Sequence, residues 1–167
     1  SFWTFSDVFE ENGPIAKPFA GHFGLRAKGG INKPSYYAFG LLHQLGNQRL
    51  ANASKDVIVT KSADGSLAIA AWNLVDPGKT GKTRTMELEF KGVPPSARVT
   101  LQRVDAAHGN VLKVYAAMGK PLDPTPAQVE RMNRATALGA PEQTRLTGGK
   151  LKLTLTPNAL VLAKVKR

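Results

Sequence analysis

Apolar and polar positions change their period twice along this chain. The opening residues read as a buried apolar strand that ends in Trp3 and opens into a loop carrying Asp7, Glu10 and Glu11. The residues that follow, as far as 33, show no regular period and are punctuated by Gly13-Pro14, Lys17-Pro18, Gly21, Gly24 and Gly29-Gly30. Phe9, Phe19, Phe23 and Leu25 are expected to anchor this segment to a core, because a disordered loop has little use for large apolar side chains. A loop of this length without a helix of its own is usually functional.

At Pro34 the period becomes helical. Ala38, Leu41, Leu42 and Leu45 recur at i, i+3, i+4 and i+7 and predict a helix over 34–46. Pro34 suits its first position and Gly46 its left-handed end. Strand, long loop and amphipathic helix make one unit of a (β/α)₈ barrel, and such a unit cannot bury its faces alone. In barrels of this kind the C-terminal end of a strand and the loop after it hold ligand-facing groups. The opening strand, with no initiator Met, points to the tail of a larger enzyme.

From about Asp56 the alternation is that of short strands. Residues 56–61 and 66–73 flank Ala63-Asp64-Gly65, a hairpin signal. Residues 84–91 alternate Met86, Leu88 and Phe90 with charged neighbours, and 98–105 follow after Gly92-Val93-Pro94-Pro95. Residues 150–156 and 159–166 form the last pair, joined by Pro157-Asn158. The set predicts an antiparallel β-sandwich. One helix interrupts it: Thr125-Pro126-Ala127-Gln128 is a capping box, Val129, Met132 and Thr136 share a face, and Gly139 closes it. It is expected to decorate an edge of the sandwich.

Composition narrows the classes. The 167 residues, 42% hydrophobic and 21% charged, suit a globular chain with a real core. No apolar run approaches the ~20 residues of a membrane span, and without cysteine there is no disulfide or thiolate site. A net charge of +11 suggests nucleic acid, but the basic residues are widely spaced and lack interleaved aromatics for base stacking. The densest cluster, Lys79, Lys82 and Arg84, lies in a Gly-containing loop. Gly78-Lys79-Thr80 matches the end of a P-loop, but Asn73 stands where that motif needs its first glycine, so a solvated loop is expected. His22, His43 and His108 are too far apart to suggest a metal site, and no cofactor motif is present.

Two candidate contacts stand at the end of the opening strand. Glu10 and Glu11 invite comparison with the paired carboxylates of glycosidases, but neighbours in extended chain point to opposite sides. A retaining pair must converge to about 5–5.5 Å. At most one of the two faces a pocket, as an acceptor for sugar hydroxyls. Trp3 fits either a sugar platform or a core plug. His22, in Gly21-His22-Phe23-Gly24, is the remaining candidate in this loop. In the strand-rich region Trp72 and Tyr115 are the available aromatic platforms, so a structural sandwich and a carbohydrate-binding module both stay open.

The run Trp3-Thr4-Phe5-Ser6-Asp7-Val8-Phe9-Glu10-Glu11, with Phe23-Gly24-Leu25 and Ile31-Asn32-Lys33-Pro34-Ser35-Tyr36-Tyr37-Ala38-Phe39, resembles the eighth strand, loop and helix of glycoside hydrolase family 39, which includes β-xylosidases. His108-Gly109-Asn110 and Met118-Gly119-Lys120-Pro121 are similar to its C-terminal β-sandwich. The resemblance implies a mainly β fragment: residues 1–48 as the final strand, active-site loop and helix of a catalytic barrel, and 49–167 as a sandwich with one inserted helix. It implies a retaining exo-enzyme acting on xylo-oligosaccharides or aryl-xylosides, whose acid/base and nucleophile glutamates precede Ser1. Trp3 and one of Glu10 and Glu11 then contact the sugar in the −1 subsite, and the partner is the remainder of the barrel. The loop departs from the family pattern at Ala20-Gly21-His22. No nucleic acid, membrane or cofactor is expected; compartment and association with further copies of the chain are left open.

Overall fold

Gly and Pro turns cut the chain into short segments, and most of them pair. The computed structural model describes residues 4–10 and 13–166, without the side chains of Phe9 and Glu10. In chain order its elements are β1 (Phe9–Glu10), β2 (Gly13–Pro14), β3 (Arg26–Ala27), β4 (Ile31–Asn32), α1 (Pro34–Leu42), β5 (Gln48–Leu50), β6 (Val57–Lys61), β7 (Leu67–Asn73), β8 (Arg84–Glu89), β9 (Arg98–Val104), α2 (Leu112–Ala117), α3 (Pro126–Thr136), β10 (Glu142–Arg145), β11 (Lys150–Leu155) and β12 (Ala159–Val165). They form two compact units, Ser1–Phe39 with Ala107–Leu138 and Gly40–Ala106 with Gly139–Arg167.

The second unit is an antiparallel sandwich. Its larger sheet has the order β10-β9-β12-β7-β6-β5, and β11 pairs with β8 in the smaller one. Val161 on the central strand β12 lies opposite Ala71 on one side and Arg103 on the other. In the smaller sheet Leu153 lies opposite Met86. Strict alternation along β11 turns Leu151, Leu153 and Leu155 inward, where they meet Ile69, Val99 and Val161 of the larger sheet. A period of two places every second side chain on one face, so the apolar pattern sets the register. The expected turns also form: Gly65 has φ +81° after Asp64, and Asn158 takes φ +59°. Asp64 accepts hydrogen bonds from the Ser66 hydroxyl and N–H, which hold its carboxyl below the usual aspartate range. Across the smaller sheet Lys150 pairs with Glu87 at 2.8 Å; the pair lowers the carboxyl pKa and raises that of the ammonium.

Two edge strands escaped the sequence reading. β5 and β10 flank the larger sheet and are mostly exposed and polar. An edge strand has one hydrogen-bonding neighbour and is commonly charged, so it carries no buried alternation to detect. The helix expected over 34–46 is shorter. After Leu42 the chain tightens through bonds from Gln44 N–H to the Leu41 carbonyl and Leu45 N–H to the Leu42 carbonyl, at 3.0 and 3.1 Å. Gly46 is not left-handed. Its N–H donates to Thr60 Oγ1 at 2.8 Å, and a Cβ there would lie 2.5 Å from the Lys61 carbonyl oxygen. Close approach to β6, not a helix cap, is why this position takes glycine.

The first unit is built on the β3–β4 hairpin and two helices. Ala27, Ile31, Val111, Tyr115 and Met132 are buried together, with Phe19 against them. The capping box of α3 forms as expected: Thr125 Oγ1 accepts from Gln128 N–H, and Gln128 Oε1 accepts from Thr125 N–H at 2.8 Å. Two other expectations about this helix are corrected. It ends at Thr136 with Ala137 extended, and Gly139 is not left-handed. It also belongs to the first unit, where it packs on β4: Asn133 accepts from Asn32 N–H and donates to the Gly30 carbonyl, while the Tyr37 and Thr136 hydroxyls lie 3.1 Å apart. The face of Met132 and Thr136 fixed that a surface was buried, but not which one. α2, six residues long, is too short to show a helical period.

Candidate functional site

Of the residues singled out above, Trp3 and Glu11 lie outside the described residues, and Glu10 is described by its backbone alone. That backbone pairs with Gly13 in the β1–β2 ladder, next to Phe9 opposite Pro14. His22 is half-buried, and its carbonyl accepts from Lys33 Nζ at 2.8 Å. Glu10 and His22 therefore sit on one segment, residues 8–23.

The opening strand that ends in Trp3 lies outside the described residues. In the loop that follows, Phe5 is 58% exposed and Phe23 67%. Among the described residues the segment before Val8 makes a single parallel bridge, Ser6 with Arg26. The bridge is closed by Asp7 N–H to the Arg26 carbonyl at 2.8 Å and Arg26 N–H to the Phe5 carbonyl at 3.0 Å. Phe5 stands edge-on to Tyr36, and the Arg26 guanidinium lies 5.9 Å from its ring centre. The loop is anchored by Ile15, Pro18, Phe19 and Leu25 instead of Phe23. Phe19 meets Tyr115 edge-on, with ring centres 4.9 Å apart.

The best-defined polar group here was not singled out from sequence as a site. Asp7 has a side chain with no exposed surface, and both its oxygens are engaged. Oδ1 accepts from Gly24 N–H at 2.7 Å, and Oδ2 pairs with Lys33 Nζ at 2.7 Å. Gly24 is tightly held, since a Cβ there would lie 2.6 Å from Asp7 N. The sequence signal was a lone acid at the end of an apolar run and a lysine immediately before the helix. A carboxylate with no exposed surface and both oxygens against these partners offers nothing to a substrate, so this arrangement holds chain in place.

The other candidates separate clearly. Tyr115 is 7% exposed and donates its hydroxyl to the Pro121 carbonyl, so it is core rather than a platform. Trp72 is half-buried in β7, opposite Leu160. Lys79 and Lys82 are exposed, and the loop at 76–79 is an ordinary turn closed by Lys79 N–H on the Asp76 carbonyl. Among the described residues no three His, Cys, Asp or Glu gather as metal ligands, and no helix is long and apolar enough to cross a membrane.

Comparison with known proteins places this geometry. The family model "Glycosyl hydrolases family 39" matches residues 1–149. A β-xylosidase of Geobacillus stearothermophilus is 35% identical over 169 residues, covering all of this chain and 33% of its own length. One from Caldicellulosiruptor saccharolyticus is 32% identical over 145 residues, covering 83% of this chain and 29% of its own. A solved structure of a family 39 β-xylosidase from Caulobacter crescentus superposes with a TM-score of 0.79 at 28% identity, across 100% of this chain and 35% of that one. The chain thus spans about a third of the length of the relatives it matches. On the extent of these matches, the chain belongs to glycosyl hydrolase family 39.

Proposed function

We propose that the chain is the C-terminal part of a retaining exo-β-xylosidase that removes xylose from xylo-oligosaccharides. In this reading residues 1–48 are the last strand, loop and helix of the catalytic barrel, and 49–167 are the sandwich and its inserted helix. Trp3 and one of Glu10 and Glu11 contact the sugar in the −1 subsite, and His22 is a further substrate contact. The acid/base and nucleophile glutamates come from the remaining two-thirds of the polypeptide. The observation that carries the reading is 35% identity, along the whole chain, to a β-xylosidase three times as long.

The described geometry supports it. Asp7, the one carboxylate with a described side chain in residues 4–39, is bound to Lys33 and Gly24, so no free carboxylate stands among the described side chains there. The sandwich serves as structure, since its Trp72 is half-buried in a strand, and Tyr115 is core of the first unit. The test is stereochemical. The longer polypeptide, given an aryl β-xyloside, is expected to release β-xylose first, observed by proton NMR before mutarotation. Release of α-xylose contradicts the retaining mechanism, and no turnover of any xyloside contradicts the reading as a whole.

A further inference from the structure

We propose that Asp7 and Lys33 are positioning residues: their buried ion pair clamps both ends of segment 8–23, and so sets the place of Glu10 and His22 at the sugar site. The proposal rests on the function proposed above. Its geometry is local and complete. Asp7 precedes the segment; His22 and Gly24 lie at its far end; Lys33 immediately precedes α1. One carboxylate oxygen takes the Gly24 N–H at 2.7 Å, and the other takes the Lys33 ammonium at 2.7 Å. The same ammonium donates to the His22 carbonyl at 2.8 Å. Gly24, seventeen residues beyond Asp7, is thereby tied to its carboxylate. Between them the β1–β2 ladder sets Glu10 opposite Gly13.

Burial gives the reason to look beyond stability. The Asp7 side chain has no exposed surface and that of Lys33 is 14% exposed. Removing two charges from water costs about as much as their attraction returns, so an apolar pair would hold the fold equally well. What apolar contact lacks is direction. The hydrogen bond from Gly24 N–H to one carboxylate oxygen, and that from the Lys33 ammonium to the His22 carbonyl beside the other oxygen, define where the segment's far end lies. A displacement of about 1 Å in a contact group can lower a rate by as much as ~100-fold. Gly24 completes the clamp, because a side chain there would strike the Asp7 and Ser6 backbone.

The test uses the longer polypeptide with Lys33→Met and with the double variant Asp7→Asn/Lys33→Met. The single change strands a buried carboxylate and is expected to lower the melting temperature and kcat/KM together. The double change removes the charge and keeps an oxygen to accept from Gly24 N–H. It is expected to restore most of the melting temperature while kcat/KM stays roughly 10- to 100-fold down, with KM raised as well as kcat lowered. A double variant with parental kcat/KM overturns the proposal; so does one whose activity returns in step with its melting temperature. Should either variant fail to fold, amide exchange in the parent decides. The Gly24 amide is expected to exchange at least about 100-fold more slowly than the exposed Ala16 and Lys17 amides, and equal rates overturn the clamp. No turnover by the parent itself contradicts the functional reading and takes the positioning role with it.

Discussion

Trp3→Ala in the longer polypeptide lowers kcat/KM for an aryl β-xyloside by at least about 100-fold, roughly 2.7 kcal/mol, with much of the loss in kcat. Trp3 lies outside the described residues, so the expectation comes from its place in the chain and from the proposed function. It immediately precedes Thr4, whose hydroxyl donates to the Ser6 carbonyl, and Ser6 bridges to Arg26. An aromatic at this strand end would form the floor beneath the sugar whose anomeric carbon reacts. That ring must flatten toward an oxocarbenium-like geometry. An indole face supports the flattened ring without hydrogen bonds that resist the change. A contact that only bound substrate would raise KM and leave kcat alone; one that holds the distorted ring lowers kcat too. If Trp3→Ala keeps near-parental kcat/KM and only melts earlier, Trp3 is a core plug.

The second large effect is on stability. Leu155→Ala is expected to cost the 167-residue chain about 2–5 kcal/mol. Leu155 has no exposed surface and packs in the core that the two sheets share. Its strand, β11, has one partner, β8, whose inward Met86 and Leu88 are themselves half-buried. The smaller sheet is therefore held to the larger one chiefly through the three inward leucines of β11. A methyl in place of the isobutyl group leaves a cavity that neighbouring strands cannot collapse to fill. Against a total stability of about 5–15 kcal/mol this is a large share. Urea unfolding reads it as a lower midpoint at unchanged slope. Lys152→Ala, on the outer face of the same strand, should stay within about 0.5 kcal/mol. A loss below about 1 kcal/mol for Leu155→Ala would contradict the packing described.

The parts of this fold that were legible in sequence are those whose signal is local. The six segments β6–β9, β11 and β12 that fill the sandwich core fell within one or two residues of their expected bounds: β8, β9 and β11 because burial on one face writes itself as a period of two, β6, β7 and β12 because a short apolar run stands between turn signals. The α3 cap was legible because Thr125 and Gln128 complete it within a single turn. Long-range facts were not legible. Nothing near residue 133 says that Asn133 will bind the backbone at Gly30 and Asn32, a hundred residues earlier. Asp7 and Lys33 gave the same difficulty: two isolated charges become a site only when the chain brings them to 2.7 Å. Phe23 misled for the opposite reason, since an aromatic in a loop says that something covers it without saying what. The family resemblance supplied what periodicity could not, and the match across residues 1–149 bears it out.

The most direct test of the account is the turnover of an aryl β-xyloside by the purified 167-residue chain beside that of the longer polypeptide. The account predicts turnover by the longer polypeptide and none above buffer by the chain, whose Asp7 is locked to Lys33 and whose Glu10 and Glu11 are neighbours rather than a converging pair. Turnover by the chain itself, abolished by Glu10→Gln or Glu11→Gln, would contradict it.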